Sequence, residues 1–498
     1  MPKTVVLKLS KMALRRNGAL SLRLVQLVIS LALRLFFRRM ETYGAERVPS
    51  DEPLLFVLNH PNGLIDPALV FCALPRRISF LAKSTLFRLP VLRALLRLVE
   101  ALPVYRRVDA ESDVSLNRRT FSRARNLLRR NRCIAIFPEG RSHNATQLQP
   151  VKTGAARIAL GALSVSSDED EHDDRHDDEH DGRRRTRQYD TEAEWPTHEL
   201  RSLKVVPAGL YYTSKTSFRS EALIRFGEPL EVRPVALDAD GEPPHEAVRE
   251  LSTRIEVALR EVTLNVADEE ELEIAARAEQ LFSSIYETIN FRLPLSAEFE
   301  LRRRFAETLA RAPTNESARV ELLRERLRSY EAELGGFGIV PENLSVLAHS
   351  RSYVLRHFIA RWLVVAILSP LAIIGALLHL PAYLVSTFAS RRIRRHGIDE
   401  IAPTVKIIAA IVLVPLTWLF VAASTYYWFG WRVCLASVPF AILCGYVAMR
   451  SLETLYDLRG WFRAALLLAR SRGRFLRLLL ERRALQREMR ALAGDLFG

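Results

Sequence analysis

Two residues with the chemistry of a general base and its partner follow a short apolar run in this chain. His60 and Asp66 come directly after residues 54–58 and are separated by a turn-forming Pro-Asn-Gly sequence. An imidazole that titrates near neutrality, beside a carboxylate that fixes its tautomer, can take a proton from a hydroxyl. Residues six apart do not share a helix face, so the pair meets only if the turn intervenes. A purely structural alternative stays open, in which Asp66 is a helix N-cap and His60 closes a turn.

A second polar cluster follows another apolar run. Residues 133–137 predict a buried strand of a parallel sheet, and Glu139, Gly140, Arg141 and Ser142 come next. Ligands of open α/β sheets bind beyond the carboxyl ends of the strands, so this cluster is a candidate binding site. Lys152 then precedes a helix rich in small residues, whose N-terminus could attract a phosphate.

A brief strand is also predicted at 101–105, and it ends in Arg106 and Arg107. The planar guanidinium suits bidentate recognition of phosphate. The alternative is an ordinary solvated basic turn.

These clusters belong to four short sequence blocks that follow one another along the chain. The blocks are His60 with Asp66, residues 103–106, Phe-Pro-Glu-Gly at 137–140, and Val-Val-Pro-Ala-Gly at 205–209. On these blocks the chain resembles the glycerolipid acyltransferases, the glycerol-3-phosphate and 1-acyl-glycerol-3-phosphate acyltransferases, across 40–235. Five residues separate the histidine from the aspartate, whereas the common pattern has four. The longer spacing is similar to the eukaryotic-type glycerol-3-phosphate/dihydroxyacetone-phosphate acyltransferase branch, as are Ser142-His143 and Phe218-Arg219-Ser220.

The resemblance implies an α/β acyltransferase domain, a mostly parallel sheet flanked by helices, in which His60 is the general base and Asp66 orients it. It also implies an acyl thioester donor, acyl-CoA or acyl carrier protein, and a glycerol-phosphate acceptor. The residues it assigns to substrate binding are Asn62, Arg106, Glu139, Gly140, Arg141, Ser142, Lys152 and Pro207, the last on the acyl-donor side. We expect no metal and no cofactor, because the thioester is already activated. A covalent serine enzyme is disfavoured, because the chain contains no G-x-S-x-G sequence.

Composition favours a membrane surface over nucleic acid as the partner. The formal charge is +15 although residues 168–182 contain ten acidic residues and one arginine, so the rest of the chain is more basic still. Long apolar stretches accompany this charge, and the usual nucleic-acid-binding motifs are absent. The four cysteines form no C-x-x-C pair, which disfavours a zinc site or a disulfide framework.

Residues 1–40 predict an amphipathic helix on the membrane surface. Arg23, Gln26, Ser30 and Arg34 recur every three or four residues and draw one narrow polar stripe along an otherwise apolar helix. A cleaved signal peptide is the alternative, but arginines within the apolar run and the lack of a small-residue cleavage pattern disfavour it.

The remaining segments predict a helical and partly membrane-embedded chain. The acidic insertion 166–198 within the 41–235 domain is expected to be disordered, and a metal site at His172, His176 and His180 is a weaker alternative. Residues 236–350 predict charged helices without chemistry of their own. Residues 351–450 predict a C-terminal α-helical membrane domain, with a proline-broken segment that is re-entrant or interfacial followed by a two-helix hairpin. Residues 451–498 predict a basic amphipathic helix suited to anionic lipids.

These observations predict an integral acyltransferase of phospholipid biosynthesis. We expect it in the inner (cytoplasmic) membrane or its equivalent, with the catalytic domain on the cytoplasmic face. Glycerol 3-phosphate, dihydroxyacetone phosphate and lysophosphatidate all stay open as the acceptor. A non-catalytic membrane scaffold that keeps the fold is the main rival, and a transporter is a weaker one because the apolar segments are few and contain no charge pair.

Overall fold

The computed structural model divides the chain into two compact units, Met1–Leu264 and Asn265–Gly498. The acidic insertion with its three histidines, and Arg107, lie outside the residues that the structure describes. The described residues are 4–7, 20–74, 76–88, 90–106, 114–164, 200, 202–215, 217–266, 269–286, 293–311, 317–341, 343–344, 351–395 and 402–493.

A nine-stranded sheet forms the first unit, as far as it is described. Its strands are β1 (Thr4–Val6), β2 (Phe37–Tyr43), β3 (Leu54–Leu58), β4 (Ile78–Lys83), β5 (Leu102–Val104), β6 (Cys133–Ile136), β7 (Lys204–Tyr212), β8 (Ser220–Phe226) and β9 (Leu230–Glu231). Its helices are α1 (Leu20–Phe36), α2 (Ile65–Ala73), α3 (Pro90–Leu98), α4 (Asn117–Arg129), α5 (Gly154–Leu163) and α6 (His245–Val262).

The strand order is β1-β2-β8-β7-β3-β6-β4-β5, and β9 pairs with β7. The central pairs of β3 with β6 and β7, and of β4 with β5 and β6, are parallel. Among the described strands, antiparallel pairing is confined to β1 with β2 and to β7 with β8 and β9. This arrangement confirms the predicted class, a mostly parallel sheet flanked by helices.

The hydrophobic core lies where helices cover the central strands. All five residues of β3 and all four of β6 are buried, which explains why both segments are apolar throughout. One cluster joins these strands to α4, α5 and α6 through residues such as Leu128, Ile158 and Ile255. The sequence ended the sheet domain near residue 235, whereas the structure adds α6 to this unit.

The N-terminal segment differs in two ways from a single surface helix over 1–40. A strand, β1, precedes α1, and β2 begins directly after it. Charged Arg38 and Arg39 concealed β2 in the sequence. They form ion pairs with Glu221 of the neighbouring β8, with N–O distances of 2.8 and 3.8 Å.

Helix α1 turns part of its polar stripe inward. Gln26 and Ser30 are buried, and Ser30 Oγ donates to the Cys72 sulfur of α2 at 3.3 Å. The opposite side is apolar and exposed, with exposed fractions between 37% and 61% for Leu24, Leu27, Val28, Leu31 and Leu35.

The second unit is helical in its described part. Its helices are α7 (Glu269–Tyr286), α8 (Leu295–Arg311), α9 (Ser317–Phe337), α10 (Arg351–Arg395), α11 (Ala402–Phe429), α12 (Trp431–Arg470) and α13 (Arg472–Ala493). Charged residues are frequent in α7, α8, α9 and α13, in agreement with the helices predicted on both sides of the apolar region.

Three helices of the described chain, α10, α11 and α12, are long and apolar enough to cross a membrane. The prolines at 370 and 381 predicted a re-entrant or interfacial segment. The structure instead has an unbroken helix of 45 residues through both of them. Proline is tolerated within apolar membrane helices because neighbouring groups can satisfy the backbone that it frees.

The histidine that interrupts the apolar sequence of α10 is satisfied by hydrogen bonds. His379 Nδ1 lies 2.9 Å from Gly375 O, and Trp418 Nε1 of α11 donates to His379 Nε2 at 3.0 Å. Gly375 also allows close packing on α12, because a Cβ there would overlap the Cys444 backbone. The polar side chain therefore links apolar helices.

Candidate active site

Four parallel strands bring their carboxyl ends to one edge of the sheet. His60 follows β3, Arg106 follows β5, Glu139 follows β6, and Tyr212 is the last residue of β7. The crevice beyond the carboxyl ends is where such sheets bind ligands. The first three sequence blocks thus end at this edge, as the alternation of strands and polar clusters predicted.

His60 and Asp66 meet across the turn. His60 Nδ1 lies 2.8 Å from Asp66 Oδ2, and the same oxygen accepts the Asn62 backbone N–H at 2.7 Å. Asp66 is fully buried in the first turn of α2. A carboxylate accepts hydrogen bonds, so this geometry assigns the proton to Nδ1 and leaves Nε2 as the basic nitrogen. The imidazole also stacks on Phe137, with ring centroids 4.1 Å apart.

Tyr212 supplies a third donor to this carboxylate. Its hydroxyl lies 2.6 Å from Asp66 Oδ1. Burial raises the pKa of Tyr212 well above its usual range, and the charge of Asp66 and the hydrogen bond to it act in the same direction. The tyrosine therefore stays protonated and remains a donor. Sequence reasoning missed it, because a tyrosine at a strand end carries no signal of a partner 146 residues away.

Glu139 connects the His60 loop to the loop after β6. Its side chain is fully buried. Oε1 accepts the His60 backbone N–H at 3.0 Å, and Oε2 accepts the Gln149 N–H at 2.8 Å and pairs with His143 Nε2. The His143 N–H in turn donates to His60 O at 3.1 Å. Both carboxylate oxygens thus face protein donors, whereas the sequence assigned Glu139 to substrate binding.

Gly140, Arg106 and Lys152 come together beside this loop. Arg106 Nη1 donates to Gly140 O at 2.9 Å. Gly140 has φ +73°, and a Cβ on it would lie 3.0 and 3.1 Å from Cε and Cδ of Lys152 and closer still to Nζ. The absence of a side chain therefore lets the Lys152 ammonium approach the backbone. Asn117 holds the strand end before Arg106 through two hydrogen bonds to the Tyr105 backbone. Its side-chain oxygen accepts the Tyr105 N–H at 2.9 Å, and its NH₂ group donates to Tyr105 O at 2.7 Å.

The other predicted site residues take different positions. Arg141 is exposed and Ser142 half-buried in the loop that follows Gly140. Asn62 is buried. Its backbone N–H donates to Asp66, and its side-chain amide lies 3.4 Å from Lys215 O in the β7–β8 turn. Pro207 lies inside the sheet opposite Val57, five residues before the Tyr212 that reaches Asp66. The structure does not bring Pro207 to the His60 cluster.

Comparisons with known proteins agree with this geometry. Residues 39–169 match the Acyltransferase family, and residues 279–496 match the Glycerol-3-phosphate acyltransferase 2 C-terminal domain. Two relatives come from Saccharomyces cerevisiae. Glycerol-3-phosphate O-acyltransferase 2 is 26% identical over 61% of this chain and 37% of its own length, and glycerol-3-phosphate O-acyltransferase 1 is 24% identical over 79% and 59%. The chain thus spans less than two thirds of the length of these yeast proteins.

A solved structure is also similar, that of the 1-acyl-sn-glycerophosphate acyltransferase PlsC from Thermotoga maritima. The match has 16% identity and a TM-score of 0.31, and it covers 48% of this chain and 78% of that chain.

The parallel sheet, the paired His60 and Asp66 at its edge and the first family match together define an acyltransferase domain. Because residues 279–496 also match a glycerol-3-phosphate acyltransferase C-terminal domain, the chain is similar to glycerol-3-phosphate acyltransferases in both of these regions.

Proposed function

We propose that this protein transfers a fatty acyl group from an acyl thioester to a hydroxyl of glycerol 3-phosphate in phospholipid biosynthesis. The observation that carries the proposal is the hydrogen-bonded His60 and Asp66 beside Gly140, Arg106 and Lys152. His60 can act as the base that deprotonates a hydroxyl, and the cationic side chains of Arg106 and Lys152 can bind a phosphate. The names of the yeast relatives and of the C-terminal family support glycerol 3-phosphate over the other acceptors.

The pair supplies the proton transfers of the reaction. His60 Nε2 takes the hydroxyl proton as the acceptor oxygen attacks the thioester carbonyl, and Asp66 stabilises the imidazolium that forms. Collapse of the tetrahedral intermediate forms the ester and breaks the C–S bond. The imidazolium then returns its proton to the departing thiolate. The donor is acyl-CoA or acyl carrier protein, and no metal or further cofactor takes part.

The cationic group beside the pair holds the acceptor phosphate. Lys152 provides an ammonium over Gly140, Arg106 provides a planar guanidinium, and Arg141 and Ser142 follow in the same loop. Arginine and lysine both bind phosphate through charge-assisted hydrogen bonds. This arrangement orients the glycerol hydroxyl toward Nε2 of His60.

The test is acyl transfer by the purified full-length protein in lipid nanodiscs. Labelled acyl-CoA is offered with glycerol 3-phosphate, dihydroxyacetone phosphate or lysophosphatidate in separate reactions. We expect product with glycerol 3-phosphate and a loss of about 10²- to 10⁴-fold in His60→Ala, which is the usual contribution of a general base. Product with another acceptor alone would replace the acceptor assignment.

A non-catalytic scaffold is the second candidate. It is less favoured because burying the Asp66 carboxyl group has a desolvation penalty that a scaffold has no reason to retain. No transfer from either acyl-CoA or acyl carrier protein to any of the three acceptors would favour the scaffold.

Localisation completes the proposal. Three long apolar helices associate this protein with a membrane. The exposed apolar side of α1 supports contact of the acyltransferase domain with a bilayer, and the exposed Arg23 and Arg38 suit anionic headgroups. We place the domain on the cytoplasmic face, where acyl thioesters are available.

A further inference from the structure

Tyr212 occupies the one oxygen of Asp66 that His60 does not use. Oδ2 carries the contacts from His60 Nδ1 and the Asn62 N–H, at 2.8 and 2.7 Å, and Oδ1 accepts the Tyr212 hydroxyl at 2.6 Å. A carboxylate can rotate about its Cβ–Cγ bond, because this terminal torsion is broad. A donor on Oδ1 opposes that rotation and keeps Oδ2 directed at the imidazole.

The hydroxyl is itself held in place by its surroundings. Tyr212 is 7% exposed, and its ring stacks on Phe37 with centroids 5.6 Å apart and planes 24° apart. Two residues earlier on β7, Leu210 is bridged by the Asn59 side chain, which accepts its N–H at 2.7 Å and donates to its O at 3.1 Å. Asn59 directly precedes His60, so the same bridge fixes the strand end of Tyr212 relative to the histidine.

We propose that Tyr212 is a positioning residue for acyl transfer, which acts through Asp66 to hold His60 in the orientation and tautomer that accept the hydroxyl proton. The proposal rests on the proposed function. Tyr212 has no part in proton transfer and does not touch the substrates. Its removal should therefore lower kcat and leave KM for the acceptor and the donor unchanged.

The experiment compares Tyr212→Phe with Tyr211→Phe in the full-length protein. Both variants delete one oxygen, and their side chains lie on opposite faces of β7 because neighbours in a strand alternate. We expect Tyr212→Phe to lower kcat about tenfold at unchanged KM, as for the loss of one charge-assisted hydrogen bond. Tyr211→Phe should keep both constants. Equal effects of the two variants, a rise in KM, or unchanged kinetics in Tyr212→Phe would overturn the proposal.

A double-mutant cycle with Asp66→Ala tests whether Tyr212 acts through Asp66. Tyr212→Phe should lower kcat in the native background and have no effect once Asp66 is replaced. An equal loss in both backgrounds would assign the effect to packing and overturn the proposal.

The same double-mutant cycle can be measured by thermal unfolding, because Tm does not depend on enzymatic turnover. Tyr212→Phe should lower Tm when Asp66 is present, and should not lower it in Asp66→Ala, where the hydroxyl has lost its acceptor. Equal changes in Tm in both backgrounds would again overturn the proposal.

The wild type and His60→Ala distinguish a failure of the Tyr212 role from a failure of the proposed acyl-transfer function. Transfer that requires His60 but is insensitive to Tyr212→Phe refutes only the role of Tyr212, whereas an inactive wild type refutes the proposed function.

Discussion

The His60 backbone N–H donates to Glu139 Oε1 at 3.0 Å, so the proposed general base of the first block is anchored on the carboxylate of the third. The other oxygen of Glu139 holds the Gln149 N–H and pairs with His143 Nε2. Because the Ala145 N–H donates to His143 Nδ1, the ring proton is on Nε2 and points at Glu139. Glu139 thus accepts hydrogen bonds from donors on two loops that meet at the site.

Glu139→Gln should destabilise the site without weakening acceptor binding. The amide NH₂ group would have to face either the His60 N–H or the Gln149 N–H, donor against donor. An unsatisfied buried group costs about 1–3 kcal/mol, so Tm should fall by a few degrees and kcat should fall as His60 shifts. Glu228→Gln is the matched control, because Glu228 is 74% exposed and pairs with Arg47 at the surface. A raised KM for glycerol 3-phosphate with unchanged Tm would instead indicate a substrate ligand.

Gly140→Ala should weaken acceptor binding. The new methyl group would displace the end of the Lys152 side chain, and an alanine at φ +73° adds about 1–2 kcal/mol of backbone strain. We expect KM for glycerol 3-phosphate to rise about tenfold, as for the loss of one charge-assisted phosphate contact. Steady-state kinetics at varied acceptor concentration measure this directly.

Gly241→Ala is the control that separates the effect of backbone strain from the effect of displacing the Lys152 side chain. Gly241 has φ +70° and nothing within 4 Å of a built Cβ, so its substitution introduces the same strain in open space. It should lower Tm to a similar extent and leave KM unchanged. Equal KM values in the two variants would contradict a role for Lys152 in binding the phosphate.

The sequence predicted the parts of the site that are local along the chain. A strand, a turn and a carboxylate six residues after His60 were sufficient to place His60 beside Asp66, and parallel strands were sufficient to bring the blocks to one edge. The contacts of Glu139 with His60 and of Tyr212 with Asp66 could not be predicted. These two contacts span 79 and 146 residues and depend on strand order, which periodicity does not determine.

Helix α1 illustrates a second limit. Its sequence has a polar stripe and a wide apolar face, but a protein core and a bilayer both cover apolar residues, so the pattern does not tell which side packs inward. In the structure Gln26 and Ser30 pack on the domain and the apolar side is exposed. Strand β2 was hidden for a related reason, since Arg38 and Arg39 are accommodated in the sheet only through Glu221 on β8.

Tyr212 should make the protein less stable at alkaline pH. Tyrosine in the unfolded chain ionises near pH 10, whereas the raised pKa keeps Tyr212 protonated in the folded state. Its contribution is fully present below about pH 10 and is lost as pH rises toward the folded pKa, by about 1.4 kcal/mol per pH unit. Above about pH 10, Tm of the wild type should fall more steeply than Tm of Tyr212→Phe, while Tyr211→Phe should follow the wild type. Parallel curves for the wild type and Tyr212→Phe would contradict the shift.

The apolar side of α1 should contact acyl chains. Trypsin cuts after Arg23 and Arg34, which releases a peptide, 24–34, that contains four of the five exposed apolar residues of this helix, all except Leu35. In nanodiscs that contain a lipid with a diazirine in its acyl chain, photolysis should label this peptide. Peptide 255–260 from α6 is the control, because it contains the 54% exposed Val257 on the same unit but no continuous apolar face. Equal labelling of both peptides, or labelling of neither, would show that α1 does not face the lipid.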